Sequence, residues 1–127
     1  MRVILTHDMD AVNKILDDSD LRERYNGTAK LKPNRIFFLF DDFGFVQVDN
    51  VDTPEHEVHY YIKKDYRRES RLTPFYFYRF YRAFSDTCER LVARIDLKWR
   101  ATINYCIKSG FEVTGMEGSK VVLKKEL

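Results

Sequence analysis

Residues 57–63, Glu-Val-His-Tyr-Tyr-Ile-Lys, alternate in character, and a basic stretch and a helix start follow them directly. Alternation at a period of two marks a strand with two unlike faces. Here Val58, Tyr60 and Ile62 fall on one face and Glu57, His59 and Tyr61 on the other. Lys63, Lys64, Arg67, Arg68 and Arg71 then crowd into 63–71, offset by Asp65 and Glu69. Thr73-Pro74 supplies a hydroxyl cap and a proline suited to the first helical position, and predicts a helix to about Asp86. Leu91 to Ile95 predicts another strand. Strand, helical connection and strand make a parallel crossover, which is right-handed. The chain must therefore build a sheet with at least one parallel pair and a helix lying on it. In such sheets the crevice beyond the carboxyl ends of the strands is where ligands sit.

The remaining elements surround that unit. Residues 2–6 bunch apolar and β-branched side chains as a short strand. Asp8 or Asp10 can cap a helix with Val12, Ile15, Leu16 and Leu21 on one face, which Asn26-Gly27 would stop. Residues 28–34 are a polar loop containing Pro33. Strand 36–40 turns through Asp41-Asp42-Phe43-Gly44 into 45–48, an antiparallel hairpin. Late in the chain a helix over 100–108 ends at Ser109-Gly110, and 111–114 with 119–124 form a last hairpin. The order, β-α-β-β-β-α-β-α-β in outline, predicts an α/β fold. Its sheet is mixed and mostly antiparallel, with helices on both faces, in a single domain over 1–127.

Composition narrows the function classes. With 44% hydrophobic and 33% charged residues the chain is an ordinary globular protein rather than a disordered one. A formal net charge of +2 is too slight to mark a nucleic-acid binder by its total. The apolar runs are too short for a membrane span, and no secretory leader is expected. Cys88 and Cys106 lack C-x-x-C spacing, which excludes a disulfide scaffold or zinc ribbon and predicts a reducing, cytoplasmic setting. His7, His56 and His59 do not form a metal spacing, so no metal is expected. No G-x-S-x-G, P-loop or Rossmann fingerprint occurs.

Two segments resemble the GNAT superfamily of N-acetyltransferases. The first, Val58-His-Tyr-Tyr-Ile62-Lys-Lys-Asp-Tyr66-Arg67-Arg68-Glu-Ser70-Arg71-Leu72, is similar to that family's central strand and phosphate loop. The second, from Ile95 through Cys106-Ile-Lys-Ser-Gly110-Phe111-Glu-Val-Thr-Gly115, is similar to its late strand, helix and hairpin. The resemblance implies acetyl-CoA as cofactor and an amine as acceptor. It implies pantetheine contacts along Tyr60, Tyr61 and Ile62, and phosphate contacts at Arg67, Arg68, Ser70 and Arg71. Glu57 is implied as the base, and Cys106, with Tyr105 beside it, stands where many members carry a tyrosine acid. The chain also departs from the family pattern. It has no glycine between Val46 and Ser109, and Ser70 and Leu72 stand where small residues let backbone N–H groups approach a pyrophosphate. Trp99 stands where an Asn often opens the late helix.

Those departures keep a second class open. Short tailed-phage proteins of this size resemble GNAT domains with similarly worn loops. A non-catalytic phage protein of structure, head assembly or DNA ejection would keep the fold and act through protein contacts, in the host cytoplasm or the virion. The basic loop can hold an anion through its side chains, and Arg79 and Arg82 extend its charge toward a nucleic-acid or acidic-protein contact. Seven aromatics between 75 and 84 exceed the ~100° stripe that one core face accepts. Some of Phe75, Tyr76, Phe77 and Tyr78 are therefore expected outside, where the helix 73–86 would meet a partner or a second copy.

Overall fold

A computed structural model describes residues 2–67 and 74–127, with the side chains of Pro74 and Phe75 left aside. The strands are β1 (Val3–Thr6), β2 (Arg35–Phe40), β3 (Gly44–Asp49), β4 (Glu55–Ile62), β5 (Arg90–Asp96), β6 (Glu112–Glu117) and β7 (Lys120–Glu126). The helices are α1 (Met9–Ile15), α2 (Ser19–Tyr25), α3 (Pro74–Phe84) and α4 (Arg100–Lys108), with a short 3-10 turn at Lys64–Tyr66. The sheet order is β1-β2-β3-β4-β5-β7-β6. The β4–β5 pair is parallel and the other five are antiparallel. This is the mixed, mostly antiparallel α/β architecture expected from the sequence. Among the described residues no helix is long and apolar enough to cross a membrane.

Alternation along the strands sorts the two faces. Phe38, Phe40, Val46, Val48, Val58 and Ile62 pack with Phe77 and Tyr81 of α3 and with Ile103 and Cys106 of α4. On the other face Phe37 and Phe45 pack with Val12, Ile15, Leu16 and Leu21 of the α1–α2 segment. Gly44 is required where β3 meets the end of β4, because a side chain there would collide with the Tyr61 carbonyl oxygen.

The expected single helix over the first third is two. Asp8 caps α1 by accepting from the Ala11 amide, and the helix stops at Leu16. Asp18 then caps α2, accepting from the Asp20 and Leu21 amides at 3.1 Å each. The run Asp17-Asp18-Ser19 favours a cap over a helix interior, because its short polar side chains compete for backbone donors. Asn26, at φ 58°, closes α2 in the left-handed conformation.

The aromatic helix is more deeply buried than its composition predicts. Phe77 and Tyr81 are fully buried, Tyr78 and Phe80 are half-buried, and Tyr76 and Phe84 are exposed. The sheet supplies the extra room. Phe38 meets the rings of Phe77, Phe80, Tyr81 and Phe84 edge-on, at centroid distances of 5.1–6.0 Å. One large strand side chain thus widens the stripe a helix can bury.

Candidate functional site

The site begins where the sheet opens. β4 and β5 are paired through Glu55–Arg90, His56–Leu91 and Glu57–Val92 only, although β4 runs on to Ile62 and β5 to Asp96. Beyond Glu57 the strands part, leaving strand edges that face each other without a ladder between them. A cavity of about 390 Å³ occupies this wedge, walled by Val58 to Tyr61 of β4, Ala93 to Asp96 of β5, the end of α2, and Trp99 and Thr102 at the start of α4.

One face of the wedge carries a chain of charges. Asp49 accepts hydrogen bonds from Arg35 and, at 2.9 Å, from Gln47, whose own oxygen accepts from the Tyr25 hydroxyl at 2.6 Å. His59 Nε2 lies 3.4 Å from Asp49 and 3.2 Å from Glu57. Glu57 accepts from Arg94 at 2.7 Å, and Arg94 donates onward to Glu117 at 2.7 Å. The chain therefore runs across β2, β3, β4, β5 and β6. Burial disfavours the charged His59 ring, but its bonds to Asp49 and Glu57 outweigh that and raise its pKa. Glu57 is held below the usual carboxylate range, chiefly by His59, with Arg94 adding to it against the effect of burial. For Asp49 burial pushes upward, and the bonds from His59, Arg35 and Gln47 more than reverse it.

The other catalytic candidates separate in space. Cys106 is fully buried in the core, and burial pushes its thiol up to about 12. That makes it a poor proton donor and a poor nucleophile. Tyr105, one position earlier and about 100° around the helix, points outward instead. It is 37% exposed, and its hydroxyl donates to the Arg67 carbonyl at 3.4 Å. Tyr60 shares the Cys106 side, and burial first, then Cys106, raises its pKa. Tyr61 lies on the opposite face against Tyr25 and Phe45.

Of the expected phosphate contacts, Arg68, Ser70 and Arg71 fall outside the described residues. Arg67 is engaged by its own protein: its Nε donates to the Ile62 carbonyl at 2.9 Å, and a terminal nitrogen pairs with Asp20 of α2. No group of metal-ligating side chains occurs among the described residues.

Asp20, Arg24, Asp49 and Arg94 belong to the site without having been singled out from the sequence. Three of them left a readable trace. Asp20 and Arg24 are an i,i+4 pair, and folding the hairpin about 41–44 sets Asp49 opposite Arg35. Arg94 depends on the register of β4 against β5, which nothing local specifies.

No family model matches the chain, and no curated protein matches it. Solved structures do match in shape. The chain is similar to the N-acetyltransferase PseH of Campylobacter jejuni in complex with acetyl coenzyme A, with a TM-score of 0.69 at 15% identity over 98% of this chain and 99% of that one. It is similar to the PaiA N-acetyltransferase of Thermoplasma acidophilum in complex with coenzyme A, with a TM-score of 0.69 at 12% identity over 100% of both. It is similar also to the spermidine N-acetyltransferase SpeG of Vibrio cholerae, with a TM-score of 0.69 at 9% identity over 98% and 92%. The fold is that of the GNAT N-acetyltransferases.

Proposed function

We propose that the chain is an acetyl-CoA-dependent N-acetyltransferase. The observation that carries this is the parting of β4 and β5 after Glu57, which opens a walled cavity between two strand edges. An extended pantetheine fits such an edge as a short strand would, held by the backbone of Tyr60, Tyr61 and Ile62. Arg67, bonded to the Ile62 carbonyl at the end of β4, would hold the phosphates with Arg68, Ser70 and Arg71 next in sequence. When bound, acetyl-CoA supplies an acetyl group on a thioester that an amine can attack. Glu57, ionised at neutral pH and bonded to His59 and Arg94 of the wedge wall, would accept the amine's proton. Tyr105 is the exposed hydroxyl of α4 suited to give a proton to the departing thiolate, a role the buried Cys106 cannot fill.

The test is calorimetric titration with acetyl-CoA, followed by thiol release in the presence of primary amines. Micromolar binding is expected, and Glu57→Gln should lower turnover by roughly 10²-fold while leaving cofactor affinity unchanged. An absence of both heat and thermal shift at millimolar acetyl-CoA would sink this reading.

A second reading has its own support. Arg67 already bonds to Asp20 and Ile62, and Arg24 crosses from α2 to Thr102 of α4 at 3.3 Å, so both cations are engaged by the chain's own groups. A non-catalytic phage protein on this fold would keep such ties and bind a partner through α3, where Tyr76 and Phe84 are exposed.

A further inference from the structure

The two edges of the seven-stranded sheet are finished differently. β6, at one edge, is interrupted by a bulge between Val113 and Gly115 and carries Glu112 and Glu117 at its ends. Bulges and charges are devices that keep an edge from pairing further. β1, at the other edge, has neither. It reads Val-Ile-Leu-Thr and pairs with β2 in an unbroken register from Val3–Phe40 to Thr6–Phe37. No strand lies on its outer side among the described residues. Ile4 and Leu5, on opposite faces of the sheet, are 40% and 42% exposed. Leu5 stands opposite Phe38, and the same Phe38 ring is met at 5.1 Å by Phe84 of α3, itself 47% exposed. An unpaired strand edge and exposed apolar side chains therefore coincide, which is what an added strand needs.

The strand that fits is β1 of a second copy. Antiparallel pairing about a two-fold axis normal to the sheet keeps both faces continuous only where one residue lies opposite its own counterpart. With the axis at Ile4, Ile4 meets Ile4, and Val3 of each chain meets Leu5 of the other. Every central contact is then apolar on apolar. Arg2, whose amide is held by Asp41 of its own chain, falls opposite Thr6 and diagonal to Asp8 of the second copy. Each end of the seam thus sets a cation near a carboxylate, and no like charges stand opposite one another. On the Leu5 face, the exposed Phe84 of each chain flanks the seam. We propose that the chain forms a two-fold dimer through antiparallel pairing of β1 about Ile4, which joins two sheets into one. The dimer does not depend on what the wedge binds.

The experiment is sedimentation equilibrium of the full chain from micromolar to sub-millimolar concentration, paired with mild oxidation of cysteine variants. Wild type should reach the mass of a dimer. Ile4→Lys, which sets two cations on the axis, should weaken association about tenfold or more while its circular dichroism stays that of wild type. Ile4→Cys should cross-link between chains, because directly opposed residues of an antiparallel pair lie within disulfide reach. Leu5→Cys should not, since the two Leu5 residues stand two positions out of register. Cys88 and Cys106 are both buried and leave the engineered thiol as the accessible one. The cross-link reports the seam even if Ile4→Lys folds poorly. A monomeric wild type at sub-millimolar concentration overturns the proposal, as does a dimer that Ile4→Lys leaves intact. Cross-linking at Leu5 in place of Ile4 overturns the axis.

Discussion

The two faces of the sheet are built from the same strands and are held together by different physics. Toward α3 and α4, Phe38, Phe40, Phe77 and Tyr81 interlock as fully buried rings around aliphatic neighbours. Toward α1 and α2, the apolar packing covers the β1 side, and near the wedge it gives way to Arg35, Asp49, His59, Glu57 and Arg94. The first face can only be improved by closer packing. The second is a set of balanced charges, in which removing one member strands its partners although the whole set adds little over an apolar one. The interlocked rings lie on one side of β4, and the charged network of Asp49, His59, Glu57 and Arg94 lies on the other.

The comparison breaks if truncations on the two sides weigh equally. Phe77→Ala should cost about 3–5 kcal/mol in urea unfolding, since it removes a fully buried ring that touches five other aromatics. Asp49→Asn should cost less, roughly 1–3 kcal/mol, because Arg35 and His59 lose their common carboxylate while keeping some access to water. A larger loss at Asp49 than at Phe77 would reverse the assignment of the two faces.

The sharpest contrast is between two histidines on opposite faces of β4. His56 is buried against α3, where its Nδ1 meets the Tyr81 hydroxyl at 2.7 Å, and burial lowers its pKa. Its neutral form belongs to the folded state. Its contribution is therefore present above the unfolded value of roughly 6.5 and is lost as pH falls through the lower folded value. His59, despite its burial, is raised by Asp49 and Glu57. Its contribution is complete below roughly 6.5 and is lost as pH rises through the higher folded value. Histidine ring shifts followed by NMR should show the two titrating on opposite sides of the unfolded value. A His56 midpoint above that of His59 would contradict the contrast.

Much of this arrangement is legible in the chain. The turn at 41–44 sets the β2–β3 register, the alternation over 57–63 sorts the faces of β4, and Ser109-Gly110 ends α4 where predicted, because each signal is local. What escapes is what joins distant segments. Asp20 meets Arg67 across 47 positions, and Glu57 meets Arg94 across 37. No periodicity reports such a meeting. The break between α1 and α2 was local and readable in Asp17-Asp18-Ser19, but a continuous apolar stripe through Val12, Ile15, Leu16 and Leu21 masks it. The aromatic helix illustrates a different limit, since how many rings it buries depends on the strands that receive them.

The short parallel seam between β4 and β5 has a consequence for how the chain assembles. On one side of it, β2 pairs with β3 and β3 with β4, and β6 pairs with β7 on the other, so most contacts there join near neighbours in sequence. The seam pairs Glu55 with Arg90, 35 positions apart, through three rungs. Closing that long loop has an entropic cost that few rungs repay on their own. The two half-sheets therefore have reason to form first and to dock late, and the surface that docks them is the ring-lined face of α3. The wedge is then the last gap in the sheet, the place where zippering stopped.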